Sequence, residues 1–110
     1  MPADYLNPGP SREEVDAMPG SVLLEFGTAW CGHCQIAAPA VAQALKARPD
    51  VQHIKVEDGP GRRLGRSFRV KLWPTLIALQ DGVEVARAVR PERAGEVHDV
   101  LQQLQPGEQG

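Results

Sequence analysis

Val22-Leu23-Leu24-Glu25-Phe26 is an apolar run of strand length, and a few residues later come Cys31 and Cys34, the only cysteines of the chain. Ile36, Ala40, Val41, Ala44 and Leu45 then recur at helical spacing, and Pro49 closes that pattern. A strand covered on both faces that runs through a short connection into a helix is the repeating junction of an α/β domain. The sulfurs therefore sit where strand gives way to helix. If Cys31 opens the helix, its sulfur lies near unpaired backbone N–H groups and the positive end of the helix dipole, which favour an anionic, nucleophilic sulfur. Cys34, one turn on, can attack a mixed disulfide formed at Cys31 and release the reduced partner. The spacing points to thiol–disulfide exchange.

The rest of the chain keeps the alternation. Residues 1–10, rich in Pro and Gly, read as a lead-in with a short edge strand at Tyr5-Leu6. Residues 11–105 read as one domain and 106–110 as a flexible tail. Ser11-Arg12-Glu13-Glu14 is a capping box whose helix Pro19-Gly20 ends. Pro39 falls inside the second helix and predicts a kink. Val51 to Glu57 is strand-like, Asp58-Gly59-Pro60-Gly61 is a loop, and Arg62 to Phe68 forms a short helix. Thr75 to Gln80, Asp81-Gly82 and Val83 to Val89 form a hairpin, because Asp-Gly suits a type I′ turn. Val97, Val100, Leu101 and Leu104 mark one face of a last helix.

A net charge of −2 gives no basis for binding nucleic acid or a membrane surface. No apolar run approaches the ~20 residues of a membrane span. The start, Met1-Pro2-Ala3-Asp4-Tyr5-Leu6, has neither the basic nor the apolar region of a secretory signal, so the expected location is cytoplasmic.

In this order and near this spacing, Glu25-Phe26, Ala29-Trp30-Cys31-Gly32-His33-Cys34, Pro39, Pro74-Thr75 and the Asp81-Gly82 hairpin resemble the thioredoxin family from about Ser21 to Leu104. The resemblance implies a thioredoxin fold, a central mixed β-sheet flanked by helices on both faces, with the active site at the end of the strand holding Phe26. It implies a monomer without a cofactor, acting on protein disulfide or dithiol substrates and served by a thioredoxin-reductase-type or glutathione electron donor. Cys31 would be the nucleophile and Cys34 the resolving thiol of a redox-active disulfide. Pro74 would be a cis proline facing that disulfide, with Trp73 and Thr75 beside it offering backbone to an extended client; the alternative is a trans proline that starts a strand. Trp30 and Trp73 would form an apolar collar, with Gly32, against a partner's backbone, unless Trp73 is a core residue.

Glu25 is the second piece of chemistry. A carboxylate within an apolar strand loses hydration, which suits it to exchange protons near neutral pH. In thioredoxin-like proteins the matching acid lies beneath the disulfide and helps to deprotonate the second cysteine, here Cys34. The other reading is a side chain that escapes to solvent at a sheet edge. Lys55 is expected to pair with Glu25 or to be a solvated strand lysine. His33 lies between the cysteines, and Cys-Gly-His-Cys resembles protein disulfide isomerase. A partly cationic imidazole there would stabilise the Cys31 thiolate and make the pair more oxidising, between the values of about −270 mV for thioredoxin and about −180 mV for protein disulfide isomerase. A solvated His33 without effect is the alternative.

Zinc needs four ligands, and only His33, His53 and His98 remain, none paired at ligand spacing. Haem attachment needs His where Gln35 stands. No metal is expected. Two positions depart from the family: Gly27 replaces a bulky aromatic, and Arg90-Pro91 stands where glycine often lines the docking surface. Arg62, Arg63, Arg66 and Arg69 read as a solvated basic face, with docking of an acidic partner as the alternative. The expected function is a protein-disulfide oxidoreductase. The competing reading is an assembly chaperone that binds one client through the same surface and whose redox activity is incidental.

Overall fold

Ser11 starts the first helix, α1 (Arg12–Asp16), with a complete capping box: its hydroxyl accepts the Glu14 N–H and the Glu14 carboxylate accepts the Ser11 N–H. These ends belong to a computed structural model that describes residues 4–106; the first three residues of the lead-in and positions 107–110 of the tail lie outside the described residues. The helix stops at Asp16, short of Pro19, and Gly20 turns the chain at φ 78° into β1 (Ser21–Gly27).

Strands β1, β2 (Gln52–Glu57), β3 (Thr75–Gln80) and β4 (Val83–Val89) form one sheet in the order β2-β1-β3-β4. β1 runs parallel to β2 and antiparallel to β3, and β3 is antiparallel to β4, so the sheet is mixed. Alternation along β1 divides the core. Leu23 packs with Leu76 and Ala78 under α2 (Gly32–Lys46) and α4 (Ala94–Leu101). Val22, Leu24 and Phe26 pack with Ile54, Val56, Leu64 and Phe68 on the face covered by α1 and α3 (Arg63–Ser67). Each fully buried Leu or Phe contributes roughly 1.5–3 kcal/mol, so a strand covered on both faces is a rigid base for the loop that leaves it. Helices on both faces of a mixed sheet give the expected α/β architecture.

The hairpin turns at Asp81 (φ 51°) and Gly82 (φ 82°), the pair of positive angles that a type I′ turn requires. Leu6 pairs with the free edge of β2: its N–H donates to Lys55 O at 2.8 Å and its carbonyl accepts the Glu57 N–H at 3.0 Å. This short pairing covers an open sheet edge and holds Tyr5 above the end of β1.

The apolar face of α2 differs from the sequence expectation at one residue. Cys34, Ala37, Ala40, Val41 and Ala44 are buried, whereas Ile36 is 56% exposed. Ile36 stands one residue, about 100° of helix rotation, off that seam. The helix continues through Pro39, which lies on its exposed side.

Candidate active site

Cys31 is the N-cap of α2. Its backbone is extended (φ −78°, ψ 120°), and its sulfur accepts the backbone N–H of Cys34 at 3.2 Å. That N–H is one of the donors a helix start leaves without an intrahelical partner, so the sulfur fills the place of a capping oxygen. Both cysteines are free thiols; Cys31 is 9% exposed and Cys34 3%. Burial, followed by the hydrogen bond with Cys31, pushes the Cys34 thiol up to about 11. The pair is thus asymmetric: one sulfur rests on a backbone donor near the surface, and the other keeps its proton inside.

Beneath Cys34 lies a polar network within the apolar core. Glu25 is buried, and both of its oxygens are engaged: Tyr5 Oη donates to Oε2 at 3.0 Å and His53 Nε2 lies 2.8 Å from Oε1. The reading in which Glu25 escapes to solvent is therefore excluded. The expected Glu25–Lys55 pair is also corrected. Lys55 faces Glu25 across the β1–β2 register, but its Nζ sits 4.3 Å over the Tyr5 ring. The Tyr5 phenol fills the space beside the carboxylate that a lysine ion pair would need. The Tyr5 hydroxyl and the Cys34 sulfur both border Gly27, and burial together with the Glu25 charge raises the phenol's pKa. Gly27 makes this possible: a Cβ there would stand 2.5 Å from Cys34 Sγ and 3.0 Å from Tyr5 Oη.

The outer side is apolar. Trp30 is 74% exposed and meets the half-buried Trp73 edge to face, with ring centroids 5.8 Å apart. Trp73 Nε1 donates to Asp58 Oδ2 at 2.8 Å, so its indole is tethered rather than sunk in the core. The Trp73–Pro74 peptide is cis. Pro74 and Thr75 are buried, and the Thr75 hydroxyl donates to Leu72 O at 2.7 Å. Arg90, at φ 53°, donates its backbone N–H to Pro74 O and its Nε–H to Trp73 O, at 2.8 and 2.9 Å. Gly32 and His33 form the exposed first turn of α2.

Sequence reasoning thus located both sulfurs, the acid beneath them and the residues around them, but missed Tyr5, Asp58 and the role of His53. In the sequence Tyr5 reads only as part of an edge strand. In the sequence His53 reads as a strand residue and as a histidine without a zinc partner, although its position two residues before Lys55 places both on the Glu25 face of β2.

The thioredoxin family model matches residues 6–103. Thioredoxin C-3 of Corynebacterium nephridii is 35% identical over 89 residues, which cover 81% of this chain and 61% of that protein. The chain thus spans somewhat under two thirds of that relative's length. A thioredoxin of Chlamydia trachomatis is 36% identical over 70 residues, 64% of this chain and 69% of its own. Among solved structures, thioredoxin 2 from Pseudomonas aeruginosa in its reduced form is 54% identical, with a TM-score of 0.83 over 93% of this chain and 94% of that one.

Proposed function

This chain belongs to the thioredoxin family, and we propose that it works as a thiol–disulfide oxidoreductase on protein disulfides, with Cys31 attacking and Cys34 resolving. The observation that carries the reading is Cys31 at the N-cap, its sulfur on the Cys34 N–H, with Cys34 one turn below it. The Cys31 sulfur attacks one sulfur of a client disulfide; that bond breaks, a Cys31–client disulfide forms, and the departing client thiolate takes up a proton. Cys34 then gives up its proton and attacks Cys31 Sγ. The mixed disulfide breaks, the Cys31–Cys34 disulfide forms, and the client leaves with two electrons gained. Glu25 is the buried base that this second step calls for.

The client lies across Trp30, Gly32 and Trp73, with its backbone beside Trp73, Pro74 and Thr75. The Trp73 carbonyl already accepts from Arg90, so a client N–H uses its second lone pair or displaces the guanidinium. His33, exposed beside Cys31, tunes the potential of the pair. Turnover requires re-reduction by a thioredoxin-reductase-type enzyme or by glutathione. The working unit is a monomer, because a single chain supplies both sulfurs and both tryptophans. An insulin-reduction assay with dithiothreitol tests the activity: catalytic turnover is expected, and negligible turnover would favour the assembly-chaperone reading.

A further inference from the structure

We propose that the basic pocket beside α3 is a docking site for acidic residues that flank the disulfide of a protein client. The proposal rests on the reading of this chain as a reductant of protein disulfides and specifies the clients it takes best. The pocket has a volume of about 380 Å³ and is bordered by Asp58, Arg62, Arg66, Arg69 and Lys71. Its charge is concentrated. Arg62, Arg63, Arg66, Arg69 and Lys71 supply five of the 12 basic residues of a chain whose net charge is −2, and no Asp or Glu stands between Gly59 and Gln80.

Arg62 is occupied, since its guanidinium donates to Glu57 Oε2 at 2.6 Å. Arg66, Arg69 and Lys71 are exposed and form no salt bridge among the described residues, so even with Asp58 on one wall the pocket keeps a surplus of positive charge. Arg69 stands at φ 58°, just past the C-cap Phe68, where the Val70 N–H closes the helix end on Gly65 O at 2.9 Å. That left-handed position suits glycine or asparagine better than arginine. A charge without a partner in its own chain, held in a backbone conformation that its residue type disfavours, points to a partner outside the chain.

The pocket adjoins the surface on which the client lies. Asp58 is the shared wall: it borders the pocket, and its Oδ2 accepts the Trp73 indole N–H at 2.8 Å. Gly65 lets α3 close on that carboxylate, because a Cβ there would collide with it. Lys71 stands two residues before Trp73, and the exposed Arg90 adds a guanidinium whose Nε–H donates to the Trp73 carbonyl. An extended client advances about 3.3 Å per residue, so carboxylates a few residues from its cysteine, on the stretch that passes Trp73, come within reach of the pocket. Arginine suits such a partner, since its planar fork can pair with a carboxylate through two parallel hydrogen bonds. The same field steers an acidic client toward the site and repels a basic one. Nucleic acid would also attract these arginines, but the rest of the chain has seven basic residues against all 14 acidic ones, which repels a long polyanion and spares a short acidic segment.

The test uses three peptides that share one internal disulfide and differ only in the residues on either side of it: Asp and Glu, Asn and Gln, or Lys. Each is mixed with the reduced protein, and its reduction is followed by chromatography of quenched samples. At low ionic strength the acidic peptide should react about tenfold faster than the neutral one, and the basic peptide more slowly. These differences should fade as salt approaches about 1 M, where the screening length is about 3 Å. The triple variant Arg66→Gln, Arg69→Asn and Lys71→Gln, with an asparagine that accepts the left-handed backbone, should lose most of the preference through the half-saturating concentration rather than the maximal rate. It should reduce the neutral peptide and bis(2-hydroxyethyl) disulfide at the wild-type rate. Equal rates for the acidic and neutral peptides in the wild-type protein would overturn the proposal. A preference that survives the triple substitution would also overturn it and leave these cations as charges at a helix end. The acidic peptide with serines in place of its cysteines is a competitor without sulfur, and a short single-stranded RNA that inhibits more strongly than this competitor would assign the pocket to nucleic acid instead. Salt-dependent binding of the serine peptide, read by fluorescence anisotropy, together with no reduction of any peptide, would defeat the oxidoreductase reading and leave the docking site standing.

Discussion

The two sulfurs stand only three residues apart, yet they look onto differently built surroundings. Around Cys31 the structure is local and open: the N-cap, the exposed His33, and Trp30 against Trp73. Around Cys34 it is closed and assembled from afar, with Tyr5 from the lead-in, Glu25 from β1 and His53 from β2. On the outer side exposed apolar surface flanks the pair, with Trp30 edge to face on Trp73. On the inner side both oxygens of the buried Glu25 are paired, one with a phenol and one with an imidazole. The surroundings of the pair are thus divided between a contact surface and a buried polar network.

The largest test of that division exchanges each sulfur in turn. Cys31→Ser should abolish disulfide reduction, and Cys34→Ser should accumulate mixed disulfides with client proteins that Cys31→Ser does not form, as seen on non-reducing gels. Equal trapping by the two variants would erase the asymmetry. Next in size is Glu25→Gln, which keeps the shape and hydrogen bonds but cannot accept a proton. Single-turnover resolution should fall about a hundredfold near neutral pH while the initial attack is spared. Rates unchanged across about pH 6–8 would remove the base from the inner side.

Gly27→Ala probes the packing between the two sides. Its methyl would strike Cys34 Sγ and crowd Tyr5 Oη, so we expect a loss of about 1–3 kcal/mol in denaturant unfolding together with slower resolution. Full stability would mean that the inner side is looser than its hydrogen bonds imply.

A smaller effect follows from the Cys34 thiol, raised from 9.0 to about 11 mainly by burial. Below the unfolded value the thiol is protonated in both states. Between about 9 and 11 only the unfolded chain ionises, so the stability of the dithiol form should decline as pH rises through that window. The disulfide form, lacking the thiol, should be flatter there in urea melts.

The smallest effect is expected on the outer side. His33→Pro, in the first helical turn where proline is tolerated, should lower the potential in glutathione buffers by tens of millivolts, with ~30 mV equal to ~1.4 kcal/mol. A potential that stays or rises would make His33 a bystander.

Legibility in the sequence followed the same line between near and far. The β3–β4 hairpin falls at the expected residues because Asp81-Gly82 carries its own conformational preference. The capping box at Ser11 and the N-cap position of Cys31 are likewise local chemistry. Ile36 was misjudged because helical spacing alone does not say which of two adjacent stripes faces a sheet. Lys55 was misjudged for a different reason. Its register with Glu25 is real, but a ring from a segment 50 residues away in sequence took the place between them.

What the chain determined by itself was the redox pair, its seat at a helix start and the strand that carries it, since turn preferences, caps and apolar periodicity act over a few residues. Which side chains surround Glu25 was decided only by tertiary structure. Tyr5, Glu25 and His53 share no spacing, and they meet because Leu6 pairs with the edge of β2 and β2 lies parallel to β1. A buried carboxylate must find partners for both oxygens, and the fold, through those two pairings, chose a phenol and an imidazole over the lysine directly opposite.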